Sequence, residues 1–201
     1  MGLTLNSNSL TLEAAGGGAA GGGAAAASLS EADVNTLIKA KTDWTFIESL
    51  DASGANSAEF TIDNSYVMYK VIAEDVRSSA HYTKFRIKVG GSEIGSGYGV
   101  SMWRGRSSSN GYYYQDGTDS WHSNHQDPHD HMSNYEYIIT GLVSGRKPTA
   151  RWHYGGGTST QDGGFSIAGG MCNNTGEVTG FKLLNPYANW SSGNFKLYGL
   201  N

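Results

Sequence analysis

Leu3, Leu5, Leu10 and Leu12 recur with period two among Thr, Asn and Ser, in two short runs interrupted at residues 6–9. That spacing predicts a strand pair or hairpin. A piece of this size does not fold alone, so its leucines are expected to dock on a neighbour, for example by adding a strand to a partner's sheet. Residues 14–27, AAGGGAAGGGAAAA, carry no charge, no aromatic ring and no branched side chain. Such a stretch cannot recover its ordering entropy by packing and reads as a flexible tether. Residues 28–43 then change to a helical period. Val34, Leu37, Ile38 and Lys41 share one face, and Ser28 with Glu31, or Ser30 with Asp33, forms a capping box. A narrow stripe of this kind packs on the body of the protein or bundles with copies of itself.

From Trp44 onward the period is two again. Trp44 to Leu50 and Ala58 to Ile62 alternate apolar and polar residues around a turn-rich link, and Tyr66 to Ala73 reads as a central strand. Phe85 to Val89 alternates most cleanly and ends on Gly90-Gly91, a hairpin signal leading to Gly97–Trp103. Tyr135 to Leu142, Thr149 to Tyr154, Gly164 to Ala168, Val178 to Leu184 and Phe195 to Leu200 bring the set to roughly nine or ten strands at sandwich-like spacing. The fold class expected is all-β: an antiparallel jelly-roll-like β-sandwich over residues 44–201. Before it come an extended anchoring arm (1–13), a Gly/Ala linker (14–27) and one short helix (28–43).

Composition narrows the picture. The chain has 201 residues with 29 Gly, 3 Pro, 12 Tyr and 5 Trp, which suits many strands joined by glycine turns around one core. A net charge of −4 with only 16% charged residues argues against a nucleic-acid partner, which needs a concentrated basic face. A single cysteine, Cys172, excludes an internal disulfide. No run approaches the ~18 apolar residues of a membrane span, and the N-terminus lacks the basic-then-apolar order of a signal peptide. Met1-Gly2 opens like a myristoylation site, but Asn6 stands where Ser or Thr is needed. A protein made and assembled in a cytoplasm is expected.

His122, His125, His129 and His131 fall within WHSNHQDPHDHM. Histidines at i and i+2 on a strand point to one face, so His129 and His131 are candidate ligands of one metal ion. Followed by Glu136 and then by His153, the pair resembles the cupin arrangement of an HxH, a Glu and a later His. That resemblance implies a metal-dependent enzyme, although Gly141 follows Glu136 too early and Ala150 stands where that family prefers glycine. Two other readings stand beside it. One is a polar surface loop; the other is a structural ion on a homotrimer axis, as in phage spike and fibre tips, where three HxH pairs supply six nitrogens. Gly95-Ser96-Gly97 does not complete a nucleophile elbow, and no phosphate loop is present. The carboxylates Asp116, Asp119, Asp127 and Glu136 read as turn residues more readily than as an acid–base pair.

The segment from Trp103 to Trp121, with Tyr112-Tyr113-Tyr114, has the composition of an exposed recognition loop: rigid aromatic area for stacking on sugars, with Ser, Asn and Gly for adaptable hydrogen bonds. An edge strand with alternate tyrosines in the core fits equally. Trp190, beside Asn189, Ser191 and Ser192, reads as a similar tip. The candidate recognition residues are Tyr112, Tyr113, Trp121 and Trp190.

At the C-terminus, Gly176-Glu-Val-Thr-Gly-Phe-Lys-Leu-Leu and Gly193-Asn-Phe-Lys-Leu-Tyr-Gly-Leu-Asn201 resemble the ending of a β-sandwich that recurs in bacteriophage virion proteins. Trp44-Thr-Phe-Ile and the Tyr66 to Ala73 strand resemble its opening. The resemblance implies a non-enzymatic head-decoration, head-fibre or tail-fibre module without a catalytic cofactor, often homotrimeric. Leu3, Leu5, Leu10 and Leu12 would then anchor it to capsid or tail proteins, and the aromatic residues would face a host-surface glycan. A free carbohydrate-binding module is the alternative from another class.

Overall fold

The computed structural model describes residues 2–6, 9–13, 28–29, 43–78, 83–105, 110–122, 131–157 and 164–201. The chain divides into two compact units, residues 1–43 with Asn201, and Trp44–Leu200. No helix occurs among the described residues.

In the first unit, β1 (Gly2–Asn6), β2 (Ser9–Glu13) and β3 (Ser28–Leu29) form an antiparallel sheet in that order. The expected hairpin is present. Leu3 pairs with Leu12, and Leu5 with Leu10. The expected helix does not begin at Ser28, because Ser28 and Leu29 are extended and pair with Thr11 and Leu10; residues 30–42 lie outside the described residues. The Gly/Ala segment 14–27 also lies outside the described residues.

The second unit is an antiparallel β-sandwich, as the alternation predicts. Its large sheet has eight strands in the order β10, β9, β14, β13, β12, β6, β16, β4. These are β4 (Thr45–Asp51), β6 (Met68–Ser78), β9 (Tyr98–Gly105), β10 (Asn110–Thr118), β12 (His131–Thr140), β13 (Thr149–Gly157), β14 (Gly164–Cys172) and β16 (Trp190–Leu200). The small sheet runs β11 (Trp121–His122), β7 (Lys84–Val89), β15 (Val178–Leu184), β5 (Ser57–Thr61), with β8 (Ser92–Glu93) paired to β7. The chain passes repeatedly from one sheet to the other, which gives the jelly-roll-like character. At Gly90-Gly91 both residues have positive φ, 56° and 81°, and the turn closes on β8 alone. The strand expected to complete that hairpin, beginning at Tyr98, joins the large sheet instead.

Period-two burial builds the core. Tyr69, Val71 and Ala73 on β6, Tyr135, Tyr137 and Ile139 on β12, and Trp152 and Tyr154 on β13 point inward with Phe85 and Ile87 of β7 and Phe181 and Leu183 of β15. Aromatic contacts join the sheets. Phe85 stacks on Tyr137 at 4.6 Å, Tyr69 meets Phe181 edge-on at 5.7 Å, and Trp121 meets Tyr98 edge-on at 5.2 Å. Trp121 lies over Gly170, where a Cβ would come within 2.7 Å of the indole Nε1. Cys172 is buried in this core as a free thiol, and burial raises its pKa.

The outer face of the small sheet is a ladder of ion pairs. Lys84, Asp119, Arg86, Glu93, Lys182, Glu59 and Lys88 alternate in sign, with Lys84–Asp119 and Arg86–Asp119 both at 2.6 Å, Lys182–Glu93 at 2.9 Å and Lys88–Glu59 at 2.7 Å. Arg86 also pairs with Glu93, and Lys182 with Glu59. Burial alone would raise the Asp119 carboxyl, but hydrogen bonds from Lys84, Ser120 and Arg86 bring it down to about 2.

Two outcomes follow for stability. Gly170→Ala forces a methyl against Trp121 and the carbonyl of Gly99, and urea denaturation is expected to show a loss of about 1–3 kcal/mol. The Asp119 carboxyl titrates below its ordinary value of 3.8, so its stabilisation is complete above that pH and is lost as pH falls through about 2. Asp119→Asn should therefore cost up to about 1 kcal/mol at neutral pH, a modest value because the carboxylate is partly solvated. The gap to the parent should close on acidification, as read from denaturation midpoints across pH.

Candidate functional site

The same alternation that buries Tyr137, Trp152 and Tyr154 turns their neighbours outward on the large sheet. Register then fixes which of them meet. One row across the sheet reads Tyr112, Trp103, Ile167, His153, Glu136, Ile72, Lys196 from β10 to β16. The next reads Tyr114, Ser101, Gly169, Arg151, Ile138, Lys70, Tyr198.

Two regions of that face differ in character. On β10, β9 and β14 the exposed side chains are large and apolar: Tyr112 is 71% exposed and Ile167 61%, with Tyr114, Trp103, Phe165 and Met171 around them. Trp103 and Phe165 pack against each other at 5.2 Å, and the Tyr112 hydroxyl lies 2.6 Å from Ser101 Oγ. Contiguous apolar surface of this kind marks an interaction site far more often than scattered exposed residues do. Beside it, Glu136, Ile138, Arg151, His153 and Ile167, with Trp152 and Ala168, line a shallow cavity of about 370 Å³. At the far edge, Phe46 meets Tyr198 edge-on at 5.6 Å, and the Lys70 ammonium lies over Trp44 and Tyr198 at 4.6 and 5.2 Å. That edge is satisfied within the chain.

The structure sorts the expected recognition residues. Tyr112 faces outward as expected, because the segment is an edge strand with alternating faces. Tyr113 points the other way, is half-buried against the core and meets His122 edge-on. Trp121 and Trp190 are not surface residues. Trp121 is 0% exposed, since it pairs opposite Phe85 in the small sheet and its ring enters the aromatic seam. Trp190 is 1% exposed, held at the start of β16 by backbone bonds to Gly54 and Ala55 and packed on Phe195. Trp103, Tyr114, Phe165 and Ile167 take their place. A strand assignment for residues 98–118 with the correct phase would have found Trp103 and Tyr114; Phe165 and Ile167 needed the sheet order.

Of the candidate metal ligands, His129 lies outside the described residues and His131 begins β12. Glu136 and His153 are direct cross-strand neighbours, on the outward face of the large sheet. Among the described residues no group of three or more His, Cys, Asp or Glu side chains is placed to hold a metal ion. Asp119 belongs to the ion-pair ladder on the opposite side of the sandwich from Glu136 and forms no acid–base pair with it. Burial lowers the His122 pKa more than the Ser120 carbonyl raises it. No protein-family model, no curated protein and no solved structure matches the chain.

The two classes of tryptophan should separate in a denaturation experiment. Trp121→Ala is expected to cost about 3–5 kcal/mol, whereas Trp103→Ser should cost about 1 kcal/mol or less and leave the fold intact. Equal losses would contradict the assignment of Trp103 to the outer face.

Proposed function

We propose that the chain is a non-enzymatic structural protein of a bacteriophage particle, attached through its N-terminal unit and displaying the sandwich on the particle surface. One observation carries this reading. The pairing of Leu3 with Leu12, Leu5 with Leu10 and Leu10 with Leu29 gives all these leucines positions on one face of a sheet with three strands among the described residues. Three short strands, all the secondary structure described in this unit, are too few to build a core by themselves, and an apolar face on them calls for a covering surface, which the proposal places on the particle. The sandwich, by contrast, is complete in itself and leaves its apolar outer surface unused.

The residues that carry the likeness to phage sandwiches occupy two inner strands. Val178 to Leu184 is β15, between β7 and β5, and the closing segment is β16, between β6 and β4. Attachment through so few residues is weak for one copy, so retention draws on multivalency, as in a homotrimer. The outer face of the large sheet is then the surface offered to the host, for contact with a ligand there. A free carbohydrate-binding module uses the same outer face but has no need of the leucine sheet.

The test is incorporation. Leu3→Asp with Leu12→Asp should reduce the amount of protein on purified particles at least tenfold while the sandwich keeps its circular dichroism and melting temperature. Unchanged incorporation would overturn the anchoring role, and unchanged ligand binding with lost incorporation is the expected division of labour.

A further inference from the structure

Gly169 and Gly170 are consecutive residues of β14 with opposite reasons for being glycine. Gly170 faces inward, and a Cβ there would collide with Trp121 and a backbone carbonyl. Gly169 faces outward, has no positive φ, and a Cβ there would meet nothing closer than the Ala150 carbonyl at 3.7 Å. Gly155 on β13 is similar: its φ is ordinary and a Cβ would meet nothing within 4 Å. Among the described residues, neither packing nor backbone conformation asks for glycine at 155 or 169. Glycine inside a strand weakens it, and one of the reasons a strand keeps it is the close approach of a ligand or another backbone.

These two glycines lie on either side of one cross-sheet row. Gly169 is opposite Ser101 and Arg151, and Gly155 is opposite Phe165 and Asn134. Between them run Trp103, Ile167, His153 and Glu136. We infer that this glycine-floored strip binds a neutral hexopyranose unit of a polysaccharide chain, and this deepens the display reading above by naming the ligand class of its outward face. Trp103 and Ile167 offer apolar surface to the C–H face of a sugar ring, while Glu136 accepts, Arg151 donates and His153 does either toward the ring hydroxyls. The strip offers one carboxylate and one guanidinium, groups of opposite sign. That balance favours an uncharged ligand over a phosphate or a polyanion. The cavity of about 370 Å³ is at the lower end of the range for small-molecule sites, and being open to solvent it suits an internal unit of a chain.

Isothermal titration calorimetry of the full chain, free of any particle, tests this with the hexasaccharides of cellulose, amylose, mannan and β-1,4-galactan, and with chondroitin sulfate as a charged counterpart. At least one neutral hexasaccharide should bind more tightly than chondroitin sulfate. Gly169→Val should weaken that binding at least tenfold while the melting temperature stays level or rises, and Glu136→Gln should weaken it with no change in melting temperature. Binding by none of the neutral sugars, tighter binding of chondroitin sulfate, full binding by Gly169→Val, or a lower melting temperature for that variant would each overturn the inference. Because no particle is involved, failure of the anchoring role would leave this measurement untouched.

Discussion

The aromatic seam between the two sheets is the constraint on which the rest depends. Phe85 of the small sheet contacts Tyr137 of the large one and Phe181 beside it, while Trp121 is wedged among Phe85, Tyr98 and Trp152. Large rings bury much area and prefer tilted, stacked or edge-on contacts, so the seam admits few alternative registers. Once Tyr135, Tyr137, Trp152 and Tyr154 are inside, the period of two leaves Glu136, Ile138, Arg151 and His153 no face but the outer one. A slip of one residue would exchange the two sets and put a carboxylate, a guanidinium and an imidazole into an apolar core. The chemistry of the outer surface is thus a consequence of how the inside packs.

The two outward faces of the sandwich have been finished in different ways. On the small sheet, charges of alternating sign satisfy one another from Lys84 to Lys88, and every rung is an ion pair. That surface is solvated and self-contained. The large sheet carries Trp103, Tyr112, Tyr114, Phe165, Ile167 and Met171 exposed on adjacent strands, where their burial by another molecule would be favourable. A long sheet with one face of this kind, and glycines at 155 and 169 whose Cβ positions are open, is the surface on which the proposed display role rests. In the N-terminal sheet the strand register gathers the leucine positions on one face.

Much of the sandwich was legible because strands with one buried face write their period into the sequence. Val178–Leu184 is the expected strand to the residue, and the strands at Phe85, Tyr135, Thr149 and Gly164 differ from expectation only at their ends. The errors came where local pattern underdetermines position. Trp121 and Trp190 sit among Ser, Asn and His and read as surface tips, yet each is drawn into the core by a strand that is distant in sequence. Tyr112, Tyr113 and Tyr114 could not be assigned faces until the phase of β10 was known. The turn at Gly90-Gly91 was evident from its glycines, but the strand it serves was not, because β8 is only two residues long.

By itself the sequence determined the fold class, most strand positions and the location of the leucine pairs, since these depend on local period. Tertiary structure alone decided which strands are neighbours, and therefore that Ile167, His153 and Glu136 share one row although β14, β13 and β12 contribute one each. It also decided that Gly169 is free while Gly170 is required. The physical reason is the same in both cases: a period of two states that two faces exist, but only the packing of one sheet on the other states which of them meets water.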